Sequence, residues 1–412
     1  MANTHCLDLI VHGQGVVIFK TSASADVCSF IFNNKTEHAG VQIEFNKRHV
    51  KAKIISNGSS PIELIDSNNN SGLQNKNGIF YWVSIDSQNQ KIQAGIGEAR
   101  IENIIYKYEF PKSDIAQFHK NKAFLESLVK VNLLDSQEKN AFGQAASSIE
   151  VINLLRDPIR KKIPLLVKDT HALTMTHIAS SEFLPKSSLS PTAEKLYDCM
   201  SGKNFVLNSP DFPDFAKAIE YSIATPNKWC HEKIKEKSTE FNKDKPNILE
   251  TYLRITLGEN NGESPGVPYV MEIWPPNHYS PIHNHAGANA IIRVLHGEIN
   301  VSLYPYLCNS QNSVDPFSKI NLVKNDITWI SPTLNQTHKL ENLNNSKTCI
   351  TIQCYLYDKK NNIHYDYFDY LDNDNNVQKY EPDSDMDFIE FKKLMQFEWE
   401  SRDKKTYGCN VM

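Results

Sequence analysis

Short runs of β-branched and aromatic residues, punctuated by Asn, Gly and Ser, fill residues 10–110 and return from about 248 to 357, with a stretch of helical period between them. These observations predict a mainly β chain. Its expected parts are an N-terminal β-sandwich over 1–111, a helical connector and linker over 112–187, a second β domain over 188–360 with flanking helices, and an extension over 361–412 carrying a docked helix. A length of 412 residues agrees with two or three domains.

In the first region the candidate strands are 16–20, 27–32, 41–45, 50–55, 62–65, 79–85, 92–96 and 104–110. Turn-rich segments such as Asn57-Gly-Ser-Ser and Asn68-Asn-Asn-Ser-Gly72 separate them, the spacing of a sandwich or jelly roll. Phe80-Tyr-Trp-Val-Ser84 followed by Ile92-Gln-Ala-Gly-Ile-Gly97 resembles the β-sandwich domain of farnesoic-acid O-methyltransferase-like proteins. No catalytic triad or ligand cluster stands out here, so this region reads as an interaction module for a partner the sequence does not name.

The period then changes. Ser113-Asp-Ile-Ala opens a helical stretch that continues through Leu125, Leu128, Val129 and Val131 to Leu134. A second helix is expected from Ser136 to Arg156, because Ala141, Ala145, Ile149, Ile152 and Leu155 recur near helical spacing and Pro158 follows. Residues 180–192, with two prolines and five serines, mark a domain boundary. Ser190-Pro191 and Thr225-Pro226 each place a capping residue before a proline at a first helical position. Residues 248–257 read as the first strand of the second β domain. Residues 384–402 read as a docked helix with Phe388, Ile389, Phe391, Leu394, Met395 and Trp399 on its broad apolar face.

Composition excludes several classes. Hydrophobic residues make up 40% and aromatics 10%, enough for real cores, and a net charge of -4 with mixed signs leaves no basic footprint for nucleic acid or anionic lipid. No apolar run approaches the roughly 20 residues of a membrane span. The start, Met1-Ala-Asn-Thr-His-Cys, has no signal-peptide pattern. Eight cysteines are scattered without a Cys-x-x-Cys pair, which fits a reduced, cytoplasmic chain. Sequons such as Asn34, Asn57 and Asn69 carry little weight in an Asn-rich chain.

Chemistry concentrates in the second β region. His283-Asn284-His285 opens a run, 283–303, in which alternation along a strand would point both imidazoles the same way. His338, in His338-Lys-Leu-Glu-Asn342, offers a third. Three imidazoles on one ion leave positions open for substrate, a reactive rather than a structural arrangement. Gly297 lies twelve residues after His285 and Asn342 four after His338. Together they resemble the two motifs of the cupin, a double-sheet jelly-roll barrel.

Within cupins, the sequence from about 190 to 360 is similar to cysteine dioxygenase. Trp274 precedes His283 by nine residues, Tyr252-Leu-Arg254 resembles the family's Tyr-x-Arg segment, and Thr225-Pro-x-x-Trp229 resembles its preceding helix. The resemblance implies a non-haem Fe(II) held by His283, His285 and His338, an enzyme that oxidises L-cysteine with O2 to the sulfinate. Neutral imidazoles leave the +2 charge uncompensated, which favours a thiolate ligand. Arg254 would hold the substrate carboxylate with its planar fork, and Tyr252 and Trp274 would line the pocket. Counting without a gap places the active-site tyrosine at Tyr355, while a two-residue insertion places it at Tyr357 on the same strand face.

Three positions depart from the family. The cysteine that crosslinks to the tyrosine in animal enzymes is Ala290, the histidine supporting the tyrosine is Gln353, and Leu356-Tyr357-Asp358 replaces Ser-Pro-Pro. The thiol therefore stays open between L-cysteine and another small thiol, and a non-catalytic ligand-binding cupin is a third reading. The acidic cluster of Asp366, Asp369, Asp372 and Asp374 lacks the glycine of a calcium loop and reads as a solvated loop.

Overall fold

The computed structural model describes residues 6–21, 25–66, 71–74, 76, 78–112, 114–135, 138–139, 145–146, 149–242, 244–259, 262–264, 266–309, 314–358 and 367–402. The chain divides into two units, Met1–Lys162 and Ile163–Met412.

In the first unit, six strands form one sheet in the order Cys6–Asp8, Leu128–Asp135, Val27–Asn34, Ala39–Asn46, Val50–Ser56, Ile62–Leu64. Five form a second, in the order Ile149–Leu155, Gln14–Thr21, Phe80–Asp86, Lys91–Ile96, Ile104–Glu109. Alternate residues of both sheets meet in an aromatic core, where Phe19 of one sheet packs on Phe30 of the other at 4.4 Å and on Phe45 at 5.3 Å. Gly95 has no side chain because the Trp82 ring fills that space, 2.2 Å from where a Cβ would stand. This is a sandwich.

The helical connector is not what forms between the units. Among the described residues of 112–187 there are two α-helices, Ile115–Glu126 and the single short Met175–Ser180, the first capped by Asp114 accepting from Gln117 N at 2.7 Å. Beyond the first, Leu128–Asp135 pairs with Val27–Asn34, and Ile149–Leu155 pairs with Gln14–Thr21. Buried Val131 and Leu133 alternate with half-buried Lys130 and Asn132, a period of two. The 141–155 apolar spacing fitted a helix, but the β-branched run Ile149-Glu-Val-Ile meets an open sheet edge, and pairing decides the outcome. The sandwich therefore extends to 162 rather than 111.

In the second unit, eight strands form a sheet in the order Phe183–Pro185, Leu166–Lys168, Ile327–Ile330, Asn289–His296, Cys349–Leu356, Tyr269–Trp274, Leu253–Leu257, Met386–Asp387. Ser318–Val323, Glu298–Leu303 and His338–Glu341 form a three-stranded sheet. Among the described residues these remain two separate sheets rather than one closed barrel. Gly297, at φ 70, is where the chain passes from the large sheet to the small one, and a Cβ there would meet Thr348 O at 2.5 Å.

Alternation along three neighbouring strands of the large sheet sorts side chains to its two faces. Leu253, Ile255, Met271, Ile273, Ile350, Ile352 and Cys354 bury against helices Pro191–Met200, Phe215–Ala224, Trp229–Glu236 and Phe388–Ser401. Each such aliphatic residue contributes about 1.5–3 kcal/mol on full burial. Tyr252, just ahead of its strand, and Trp274 pack instead with Val294, Ile299, Val301, Leu303 and Leu340 in a core shared with the small sheet. The polar residues of the site lie at the edge of that core.

Smaller expectations shift too. Ser190 caps its helix, accepting from Ala193 N at 3.2 Å, but Thr225 ends Phe215–Ala224 and the next helix starts at Trp229 behind Lys228. The expected first strand shortens to Leu253–Leu257, with Ile248 and Leu249 exposed. The C-terminal helix buries Phe391, Met395 and the Glu398 stem, while Ile389 faces solvent. Residues 163–187 join the large sheet instead of acting as a linker.

Candidate metal centre

His283 is not inside a regular strand. It forms an isolated antiparallel bridge with His338, whose strand continues to Glu341. His283 N donates to His338 O at 3.0 Å and His338 N to His283 O at 2.9 Å. Directly paired antiparallel residues put their side chains on one face, and the two rings lie 4.6 Å apart. His285, two residues on, stands 5.1 Å from His283 and 4.9 Å from His338 by ring centres. One ligating nitrogen from each lies within 4.8 Å of the others. Among the described residues this is the one such trio.

Hydrogen bonds fix which nitrogens face inward. His283 Nδ1 donates to Pro281 O at 3.0 Å and His338 Nδ1 to Asn335 O at 3.2 Å, since a carbonyl can only accept. Their Nε2 lone pairs are left for the interior. His285 Nε2 lies 3.1 Å from His338 Nε2, a distance that requires a proton or a cation between them, and His285 Nδ1 is buried without a partner. Burial also keeps the rings neutral, lowering His283 to about 4 and His338 to about 3, with His285 held well below its usual range. Neutral imidazoles with backbone-anchored Nδ1 atoms are the form that binds a metal.

The trio lines one cavity with Arg254, Tyr252, Trp274, Glu272 and Gln353. Tyr252 and Trp274 stack at 4.3 Å, and Trp274 Nε1 donates to Thr351 Oγ1 at 3.2 Å. Asn342 is a structural staple, its Nδ2 donating to the carbonyls of Trp274, Pro275 and Lys347 at 2.9–3.1 Å. Tyr355 is buried on its strand with its ring stacked on His285 at 5.3 Å. Tyr357 lies beyond that strand's last residue, Leu356. Ala290 sits directly across from Tyr355 in the register, so no thiol stands beside that hydroxyl.

Arg254 is already engaged. Its Nη1 donates to Glu272 Oε1 at 2.8 Å, and its Nε is buried without a partner. Glu272 is the directly opposed residue on the adjoining strand. Burial pushes the Glu272 carboxyl up to about 7, against the pull of Arg254, Lys237 and Gln353. The relay continues: Gln353 Nε2 donates to Glu272 Oε2, and Tyr355 Oη donates to Gln353 Oε1.

Four more lining residues come from outside the motifs: Phe241, Phe368, Tyr370 and Tyr380. The last three lie on a hairpin of Phe368–Leu371 and Val377–Tyr380, inside the stretch expected to be an extension. That hairpin is bonded to the histidine segment, Leu371 N donating to Ile282 O at 2.8 Å and Asn284 N to Asp369 O at 2.9 Å. Of the acidic cluster, Asp366 lies outside the described residues. Asp372 Oδ1 accepts from Asp374 N and Asn376 N to close the hairpin turn.

Residues 235–366 match the family described as cysteine dioxygenase type I. The resemblance read from the motifs thus holds over that stretch, narrower than 190–360. Solved structures similar to part of the chain include a cupin superfamily protein from Desulfitobacterium hafniense, at 16% identity over 26% of this chain and 79% of that one, with a TM-score of 0.20. An oxalate oxidase in complex with the substrate analogue glycolate is similar at 19% identity over 26% of this chain and 49% of its own, TM-score 0.20. The cupin domain of Cnp3 from Schizosaccharomyces pombe is similar at 10% over 26% and 65%, TM-score 0.20.

Proposed function

We propose that the second unit is an Fe(II)-dependent thiol dioxygenase and that L-cysteine is its substrate, converted with O2 to cysteine sulfinate. The observation that carries this reading is the trio of neutral imidazoles, with the Nε2 lone pairs of His283 and His338 left for the interior, in a cavity that also holds a buried arginine. The match of 235–366 to cysteine dioxygenase type I supports it.

When bound, Fe(II) would supply a common site where thiolate and O2 meet, with electron density to activate the oxygen. The chain's own residues do the rest. His283, His285 and His338 hold the ion without adding negative charge, so a thiolate is electrostatically favoured. Arg254, permanently charged and carrying an unpartnered Nε, draws an acceptor such as a carboxylate. Phe241, Tyr252, Trp274, Tyr370 and Tyr380 wall the cavity and exclude water. Tyr355, its ring stacked on His285, ties its hydroxyl to Gln353 of the cavity wall.

A second reading, another small thiol, gains from the Arg254–Glu272 pair, which compensates part of the charge a carboxylate would use. No described helix is long and apolar enough to cross a membrane. The scattered cysteines, with no Cys-x-x-Cys pair, support a reducing compartment such as the cytoplasm. The test is oxygen uptake by the iron-loaded protein with a panel of thiols, and mass spectrometry of the products. L-cysteine consumed with gain of two oxygen atoms supports the reading, and no uptake with any thiol overturns it.

A further inference from the structure

Glu272 enters the reading above only as the ion-pair partner of Arg254, yet it shares the cavity wall with the three histidines. It is 4% exposed and faces Arg254 across two paired strands. When Glu272 is ionised, its carboxylate and the Arg254 guanidinium together carry no net charge, so the wall does not present the bare cation that an anionic ligand would seek. A thiol bearing only a carboxylate would bring its negative charge close to a second, buried one. In a low-dielectric cavity that juxtaposition is costly.

The hydrogen-bond relay points the same way. In its ionised form Glu272 can only accept, so Gln353 then turns Nε2 toward Glu272 and Oε1 toward Tyr355. Tyr355 must then donate its proton to Gln353. Its oxygen lone pairs are left as acceptors next to Gln353, suited to an N–H rather than to a carboxylate oxygen. Arg254 Nε is buried and unpartnered, a donor that still suits an acceptor on the ligand. The wall thus offers both an anion with acceptors and a cation with a spare donor.

Resting on the thiol-dioxygenase reading, we propose that Glu272 is a specificity-determining residue that makes this site select thiols carrying an ammonium group over mercapto-carboxylates that lack one. L-cysteine meets both requirements of the wall. Cysteamine meets the ammonium requirement alone and 3-mercaptopropionate the carboxylate alone, so the pair separates the two effects.

The test compares L-cysteine, cysteamine and 3-mercaptopropionate with the iron-loaded full chain and with Glu272→Gln, by oxygen uptake and by anaerobic calorimetric titration. The wild type is expected to favour both aminothiols over 3-mercaptopropionate by roughly tenfold or more in kcat/KM and in affinity, the size of a like-charge penalty in a pocket. Glu272→Gln, which keeps the shape and loses the charge, is expected to erase most of that ratio while retaining iron. Equal or better use of 3-mercaptopropionate by the wild type overturns the proposal even if the variant fails to fold. So does a Glu272→Gln ratio identical to the wild type's. If no thiol consumes oxygen, the dioxygenase reading falls, and the anaerobic affinities still decide whether Glu272 selects the ammonium.

Discussion

Arg100 in the first unit and Arg254 in the second are both almost fully buried, at 1% and 5% exposure, but their surroundings differ. Arg100 Nη1 meets Glu98 at 3.2 Å and its Nε meets Glu102 at 3.3 Å, so two carboxylates clasp one guanidinium. Arg254 meets only Glu272, and its Nε is unpartnered. The two sheet pairs follow the same contrast. The sandwich fills its interior with Phe19, Phe30, Phe45 and Tyr81, ring against ring. The second unit gives up that filling where its sheets meet and lines a cavity with histidines, Arg254 and Glu272. Buried polar groups are ordinarily satisfied, so a titratable interior with unpartnered atoms points to a ligand. The difference separates a group that holds a fold from one that waits for a partner.

The sharpest way to break this comparison is to remove a histidine. Purified protein is expected to hold close to one iron per chain, and His283→Ala, His285→Ala or His338→Ala should each abolish it, because two imidazoles hold Fe(II) poorly against water. Elemental analysis finding iron in all three variants would sink the site. Each variant should keep the β signal of the sandwich by circular dichroism.

The two arginines give a matched pair of substitutions. Arg254→Ala should raise the KM for L-cysteine by about 10- to 150-fold, the worth of a charge-assisted contact of about 1.5–3 kcal/mol, with iron retained. Arg100→Ala should leave KM unchanged and destabilise the first unit by about 3–5 kcal/mol, since the buried Glu98 and the half-buried Glu102 lose their partner. Kinetics and thermal unfolding on both proteins check this. An Arg254→Ala enzyme with unaltered KM would mean that Glu272 has taken the arginine out of substrate binding.

Acid should separate the units as well. His283 and His338 fall from the ordinary 6.5 to about 4 and about 3 in the folded chain. The unfolded chain therefore binds protons that the folded chain does not as pH drops below 6.5. Stability is fully present above 6.5 and is lost as pH falls through about 4, by about 3 kcal/mol for His283 alone. Metal-stripped protein melted across this range should show a second-unit transition that falls while the sandwich transition holds. A second-unit transition unchanged between pH 7 and 4 would contradict the burial of these rings.

Most of the trio was legible because its signals are local: a His-x-His pair, Gly297 at a crossing between sheets, Asn342 closing a turn, Trp274 nine residues ahead. Glu272 was legible in principle. It alternates with Trp274 in Val270-Met-Glu-Ile-Trp274, which puts both on the cavity face, but its partner Arg254 is fixed only by strand register. Phe241 and Tyr380 reach the cavity from segments more than a hundred residues apart, and no periodicity carries that information. The helix expected over 136–156, part of which lies outside the described residues, gives way to a strand at 149–155 for a related reason, since the edge that captured it lies at residues 14–21.

The smallest effect should come from dividing the chain where the structure divides it. Residues 180–192 look like a linker, and a fragment starting at Ser188 would follow that signal. Yet Thr328 Oγ1 donates to Leu165 O at 2.8 Å and Trp329 Nε1 to Pro164 O at 3.1 Å, and Leu166–Lys168 bridges the large sheet to Phe183–Pro185. Cutting at 188 removes those acceptors and bares the edge of Ile327–Ile330, two strands from the site. A fragment of residues 163–412 should instead keep iron and turn over thiol at a rate comparable to the full chain, because every cavity-lining residue is retained. The 188–412 fragment should melt lower and lose iron more readily. Equal melting temperatures and iron contents for the two fragments would show that residues 163–187 add nothing to the fold around the metal.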